Sequence, residues 1–308
     1  MYQPRTDLAL EAHEIAKKSQ TTLEGVVFKE EYIENFKMTR VEIISEQGSE
    51  ITGKPCGKYL TLHTGGVCNQ TSDTIIRASR ALSTLIKELV EKNVENNSPV
   101  LIAGLGNVTI TADAIGPKSL EHVIVTRHIK KSSPALFEEL GLFDIAALSP
   151  GVLSQTGVET TEIIKSVVDK ICPSVVIAID SLASKNLERL ATTIQLSNTG
   201  ISPGSGMGNR RVELNTSTLG IPVISIGIPT VVDAGTLAFG ILEKTLKNKK
   251  LSNDVENTLE ELTKGMNYFV TPKDTDLIIG HMSKIIGYGI NLAFHKNLGY
   301  EEMVSLTD

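Results

Sequence analysis

Two aspartates stand where short apolar runs give out. Asp180 follows Val175-Val176-Ile177-Ala178-Ile179, and Asp113 comes a few residues after Val100-Leu101-Ile102-Ala103 and the turn Gly104-Leu105-Gly106-Asn107. A carboxylate at the mouth of a buried sheet is costly to desolvate unless it is paired, hydrogen-bonded or protonated. Two of them at neighbouring strand ends would drive their pKa values apart. One could then serve as base towards a water and the other as acid. The competing role for each is structural. Asp113 precedes Gly116-Pro117, which should start a helix, and the segment after Asp180 offers a helix cap at Ser184. Which aspartate would be the base is left open by the sequence.

Two further junctions carry polar residues of the kind sites use. Asn198 to Arg211 (NTGISPGSGMGNRR) is glycine-rich, and Gly204, Ser205, Gly206 and Asn209 are candidates for holding a peptide backbone. Amides in such turns can bind an oxyanion or a carbonyl. Asp233, in GIPTVVDAGT, reads as a helix cap before it reads as a catalyst. Other chemistries find less support. The Gly104 turn lacks the third glycine of a dinucleotide fingerprint and the Lys-Ser/Thr of a P-loop. His122 and His128 lie six residues apart, off the spacing that puts two ligands on one helix face. Gly204-Ser205-Gly206 follows no buried strand, so a serine nucleophile elbow is not indicated.

These residues must be positioned by a sheet. The apolar runs 100–103, 145–148, 175–179 and 222–226 alternate with helical stretches at 116–128, 160–170 and 184–189. That pattern predicts an α/β fold, a mostly parallel sheet covered by helices on both faces, with ligands at the carboxyl edge. Residues 24–63 read instead as hairpins, with strands around Val26–Phe28, Thr39–Ile44 and Lys58–Leu62, and form a β-rich N-terminal elaboration. Helical periodicity marks 72–92, 237–246 and 276–295, and 247–258 reads as a polar connection.

Composition narrows the function classes. The chain has 308 residues, a net charge of -6 and no tryptophan. No basic groove for nucleic acid stands out, which weighs against a nucleotide- or RNA-linked ester hydrolase. Three cysteines without CxxC spacing argue against a disulfide framework or a zinc ribbon. No run is long enough to cross a membrane and no signal segment is evident, so a soluble cytoplasmic protein is expected.

The N-terminus carries one more signal. In Arg5-Thr6-Asp7-Leu8-Ala9-Leu10-Glu11, Thr6 or Asp7 would cap a helix running through Glu14 and Lys17. The same residues run acid, large apolar, small, then acid again.

Taken in order, RTDLALEAHE, GLGNVTITADAIGPK, TRHI, SPGVLSQTGVET, VVIAIDSLASK, NTGISPGSGMGNRR, LGIPVISIGIPTVVDA and FVTPKDTD resemble the germination proteases of spore-forming bacteria over nearly the whole chain. The resemblance implies an endopeptidase that initiates degradation of small acid-soluble spore proteins, in a fold similar to hydrogenase-maturation proteases. It implies a self-processing zymogen, a homotetramer in the cytoplasm of the spore core, and no cofactor, direct nucleic-acid partner or membrane. Its substrates are cut after an acid and before a large apolar residue, in segments such as Thr-Glu-Phe-Ala-Ser-Glu. Carried over by motif, the paired acids are Asp113 and Asp180, and the propeptide bond is Asp7–Leu8. Residues 1–7 would then be propeptide and 8–308 one α/β peptidase domain. A metal-dependent peptidase at the same carboxylates, with His122 or His128 added, is the alternative mechanism. A non-catalytic paralogue that binds spore components is the alternative function. The chain is short between Lys250 and Phe269, where some relatives carry an insertion, and short before Arg5.

Overall fold

β-Branched and leucine-rich runs, apolar on both faces, fix the middle of the sheet. A computed structural model of the chain describes residues 5–19, 23–66, 71–91, 94, 98–204, 211–245, 268–295 and 297–307. Its strands are β1 (Val26–Ile33), β2 (Phe36–Ile43), β3 (Gly57–His63), β4 (Val100–Gly104), β5 (Ile145–Leu148), β6 (Val175–Ala183), β7 (Thr193–Ser197), β8 (Val223–Asp233) and β9 (Phe269–Val270). They form one sheet in the order β1-β2-β3-β7-β8-β6-β4-β5, with β9 on β8. The β8-β6-β4-β5 half is parallel, and every other pairing is antiparallel.

The expected α/β architecture is therefore present, with helices on both faces. One face packs Ile177, Ile179, Ile194, Ile224 and Ile226 against the long helices Ser72–Val90 and Thr275–Phe294. The other packs Leu101, Ala103, Val176 and Ala178 against the helix Thr160–Ile171. The Thr275–Phe294 helix is long and apolar enough to cross a membrane, contrary to the expectation that no run is. Its most apolar stretch is 72% buried in the protein, as a core helix should be.

Three differences bear on the site. β7, a strand the sequence reading did not include, joins β3 to β8 and makes the N-terminal hairpins one sheet with the parallel core. The joining strand, Thr-Ile-Gln-Leu-Ser, is short and half polar, which hid it from a search for apolar runs. β6 continues through Ala183, so Asp180 lies inside the strand, three positions before its end. No α-helix follows at 184–189; Ser184 leads into a single 3-10 turn, Leu187–Arg189. The predicted helix at 116–128 is also shorter, Ile115–Leu120, and the polar connection 247–258 lies outside the described residues.

Candidate active site

Side chains on a strand alternate between faces, so Asp180 shares a face with Val176 and Ala178. On that face the sheet changes character at Asp180. Towards β4 it is apolar; towards β8 and β7 it carries Ser225, Gly227, Gln195 and Ser197. Asp180 is 2% exposed. Its Oδ1 accepts from the Ser181 amide at 2.8 Å, and the Gly204 amide also donates to the carboxylate. Oδ2 is buried and has no hydrogen-bond partner among the described residues. Burial, then the charge of Asp113, raises its pKa well above the usual carboxylate range, and Asp7 adds to the push.

Asp113 is held by a turn that only glycine allows. Gly106 has φ +106°, and a Cβ there would lie 2.1 Å from the Asp113 carbonyl oxygen. The Asn107 amide donates to both the Asp113 carboxylate (2.9 Å) and its carbonyl (3.0 Å). Below it, Gly116 presses the Ile115–Leu120 helix onto the sheet, where a Cβ would meet Leu105 and Ile179 backbone atoms at 2.2–2.6 Å. Asp113 is thus a clamp on the Gly106 turn, and it makes no cap bond to the helix that follows. Burial pushes its carboxyl up to about 6, against the pull of the Asn107 amide.

The two aspartates line one cleft of about 160 Å³, together with Gly106, Asn107, Gly204 and Arg211. Two carboxylates in one cleft, one of them with an orphaned buried oxygen, have the chemistry to hold different protonation states and to activate water. Of the glycine-rich loop, Gly204 reaches the site; Ser205, Gly206 and Asn209 lie outside the described residues. Asp233 is a cap, accepting from the Thr236 amide at 2.8 Å. His122 packs against Gly287 and edge-on to Tyr288, away from the cleft. Among the described residues no three His, Cys, Asp or Glu side chains converge as metal ligands.

The N-terminal segment lies along the polar part of the same face. Asp7 precedes the helix Ala9–Ser19 and is bound to the end of β6. Its amide donates to the Ala183 carbonyl (2.9 Å), and its carboxylate accepts from the Ala183 amide (2.7 Å). β6 ends there, and the buried backbone at its terminus binds the carboxylate. Thr6 accepts from the Leu8 amide at 3.0 Å. Leu8 is fully buried. The Ala9 amide donates to Gln195 Oε1 at 2.7 Å. The Asp7 carbonyl oxygen accepts from Lys54 Nζ at 3.0 Å and Gln195 Nε2 at 3.4 Å.

Glu11 closes the arrangement. Only 1% exposed, it accepts from the Lys185 amide (2.6 Å), the Asn186 amide (2.9 Å), the Ser184 hydroxyl (2.9 Å) and Arg189 (3.3 Å). Two acids four residues apart are therefore each read by donors at the end of β6. Sequence reasoning missed Lys54, Gln195 and Arg189. Gln195 did leave a trace, as a lone amide in an otherwise apolar-alternating strand; Lys54 left none.

A profile of the germination protease family matches residues 5–258, which include both aspartates, the Gly106 turn and the Asp7–Glu11 segment. The chain belongs to that family. It is 43% identical to the germination protease of Caldanaerobacter subterraneus subsp. tengcongensis, over 98% of this chain and 97% of that one. The germination protease of Clostridium perfringens is 42% identical over 98% of both, and that of a Geobacillus species 35% over 100% and 98%. Family membership makes the chain a peptidase of spore germination.

Proposed function

We propose that the chain is the self-processing zymogen of an aspartic-type endopeptidase, cut at Asp7–Leu8. Its trans substrates are then small acid-soluble spore proteins with the same local order of residues. The observation that supports the reading best is the orphaned Oδ2 of Asp180 beside Asp113 in one cleft. Asp113 ionises first and takes a proton from water as the water oxygen attacks the peptide carbonyl carbon. Asp180, kept protonated by burial and by its neighbour, passes its proton to the leaving nitrogen as the C–N bond breaks. The singly protonated pair opens near pH 6, where Asp113 ionises.

The cleavage site is supported by the seating of residues 6–11. Asp7 and Glu11 occupy donor sets suited to acids, and Leu8 between them is enclosed, which matches acid, large apolar, small, acid in the substrates. The homotetramer of the spore core, with no cofactor, is carried over from the resemblance as part of the same proposal. Incubating the purified full-length chain at about pH 6, where the pair holds one proton, and weighing the product tests it. The expected new N-terminus is Leu8. A chain that stays intact while cutting substrate would remove the zymogen step.

A further inference from the structure

We propose that Lys54 and Gln195 hold the carbonyl oxygen of the Asp7–Leu8 bond during hydrolysis and are catalytic residues of the self-cleavage. The inference rests on the reading of Asp7–Leu8 as the bond cut, and it names groups that touch the reacting atoms.

The Asp7 carbonyl is where a cation and an amide donor converge. Lys54 Nζ lies 3.0 Å from that oxygen and reaches the Thr6 carbonyl only at 3.4 Å. Lys54 is placed by a sharp turn. The Glu46–Thr52 helix ends on Gly53 in the left-handed conformation (φ +65°), and Pro55 follows. Gln195 Nε2 supplies the second donor at 3.4 Å. The orientation of its amide is fixed by its other end, since Oε1 accepts from the Ala9 amide at 2.7 Å. One glutamine thus grips the backbone on both sides of Leu8, the residue that follows the bond.

These donors differ from mere struts in what they face. When water attacks the carbonyl carbon, the oxygen takes up negative charge, and its hydrogen bonds strengthen most at that moment. A lysine in this half-buried position is a weak investment for a neutral carbonyl. Burial lowers its pKa, and Asp7 and Glu11 partly restore it. Opposite a forming oxyanion the charge is matched. The balance of the step is unchanged: water adds to the carbon, the C–N bond breaks, and protons move through the aspartates alone. Lys54 and Gln195 only stabilise the oxygen between the two events.

The test measures the first-order rate at which the Leu8-terminated product appears. Gln195→Glu is isosteric; it keeps an acceptor for the Ala9 amide and replaces the donor to the Asp7 carbonyl with a carboxylate oxygen. Lys54→Met removes the cation at similar length. Each is expected to slow the cut by about 100-fold, the size of losing one oxyanion donor, with Lys54→Arg recovering most of the rate. In an Asp113→Asn background, which leaves the segment uncut, hydrogen exchange at the Leu8 and Ala9 amides should match with and without Lys54→Met. Self-cleavage within about threefold of wild type, about 0.65 kcal/mol by the rate relation, in both variants overturns the proposal. So does a slow cut accompanied by faster exchange, which would make the pair a strut. If Lys54→Met fails to fold, Gln195→Glu decides alone. A wild-type product that begins elsewhere than Leu8 instead overturns the cleavage-site reading, and this inference with it.

Discussion

Asp180 and Gln195 lie in one register row of the sheet with only Gly227 between them. Asp180 pairs with Gly227 across β6 and β8, and Gly227 with Gln195 across β8 and β7. Strands spaced at about 4.8 Å place the two residues roughly 10 Å apart at their Cα atoms. Glycine leaves the space between them free of its own side chain. Leu182 leans into it, since a Cβ on Gly227 would stand 2.4 Å from Leu182 Cδ1. The buried acid and the amide that grips the Asp7–Leu8 bond thus face the same side of the sheet. That shared face places the N-terminal segment and the aspartate cleft on one side of the sheet.

Replacing either aspartate with asparagine keeps the shape and removes the titration. Asp113→Asn and Asp180→Asn should each fold and lose about 10²–10⁴-fold in hydrolysis of a peptide carrying the Asp7–Leu8 sequence, the range for general acid–base groups. Full activity in either variant, measured beside an unchanged circular dichroism spectrum, removes the shared-proton mechanism.

The raised carboxyl of Asp113 also makes a stability prediction with a definite sign. The folded state holds the proton up to about 6, while the unfolded chain releases it from about 3.8. Between those values the native state binds more protons, so Asp113 costs stability progressively as pH rises through the window. Asp113→Asn should therefore leave thermal stability at pH 3.5 nearly unchanged and raise it at pH 8. The gain should be about 1–2 kcal/mol, after a discount for partial exposure. Equal gains at both pH values would contradict the assignment.

Gly116 is a sensitive position that carries no chemistry. A methyl there meets backbone atoms of Leu105 and Ile179, which cannot swing aside. Gly116→Ala should break the Leu105-to-Ile179 hydrogen bond that seats the turn before Asp113 and destabilise by about 1–3 kcal/mol as an overpacked site. Denaturant unfolding, read together with peptide hydrolysis, should show both losses.

Glu11 tests the docking of the N-terminal segment. Glu11→Ala strands two amides, the Ser184 and Thr6 hydroxyls and Arg189 without their buried acceptor, a loss of about 3–5 kcal/mol for a broken buried pair. Arg189 keeps Glu14 at 2.5 Å, so the global fold should survive. Hydrogen exchange should then show residues 5–19 deprotected while β4 and β6 stay protected. Uniform protection across the chain would mean that the cradle does not hold the segment.

Much of this was legible beforehand. Val175–Ile179 and Val100–Ala103 are apolar on both faces, and only a strand covered twice can bury such runs. The acids beyond them had to stand near a sheet edge, and the parallel pairing of β4 with β6 brings them together. The order acid, large apolar, small, acid from Asp7 to Glu11 was equally plain. What misled was local: Ser184 looks like a helix cap, and capping is the commonest use of such a residue. One acceptor of its hydroxyl, Glu11, is far away in sequence. The glycine-rich loop gave Gly204 to the site, while its remaining candidates, Ser205, Gly206 and Asn209, lie outside the described residues.

The sequence by itself determined the chemistry available: two carboxylates at apolar strands, a glycine turn for one of them, and an N-terminus that runs acid, large apolar, small, acid. Periodicity and turn propensity act over a few residues, so these features are readable in place. Tertiary structure alone decided that β7 joins the two halves of the sheet. It alone brought Lys54 and Gln195 to the Asp7 carbonyl, and Ala183 and Arg189 to the two acids. Those contacts span 47 to 188 positions of chain, and no local preference encodes them. They exist because the sheet's register sets which distant side chains share a face.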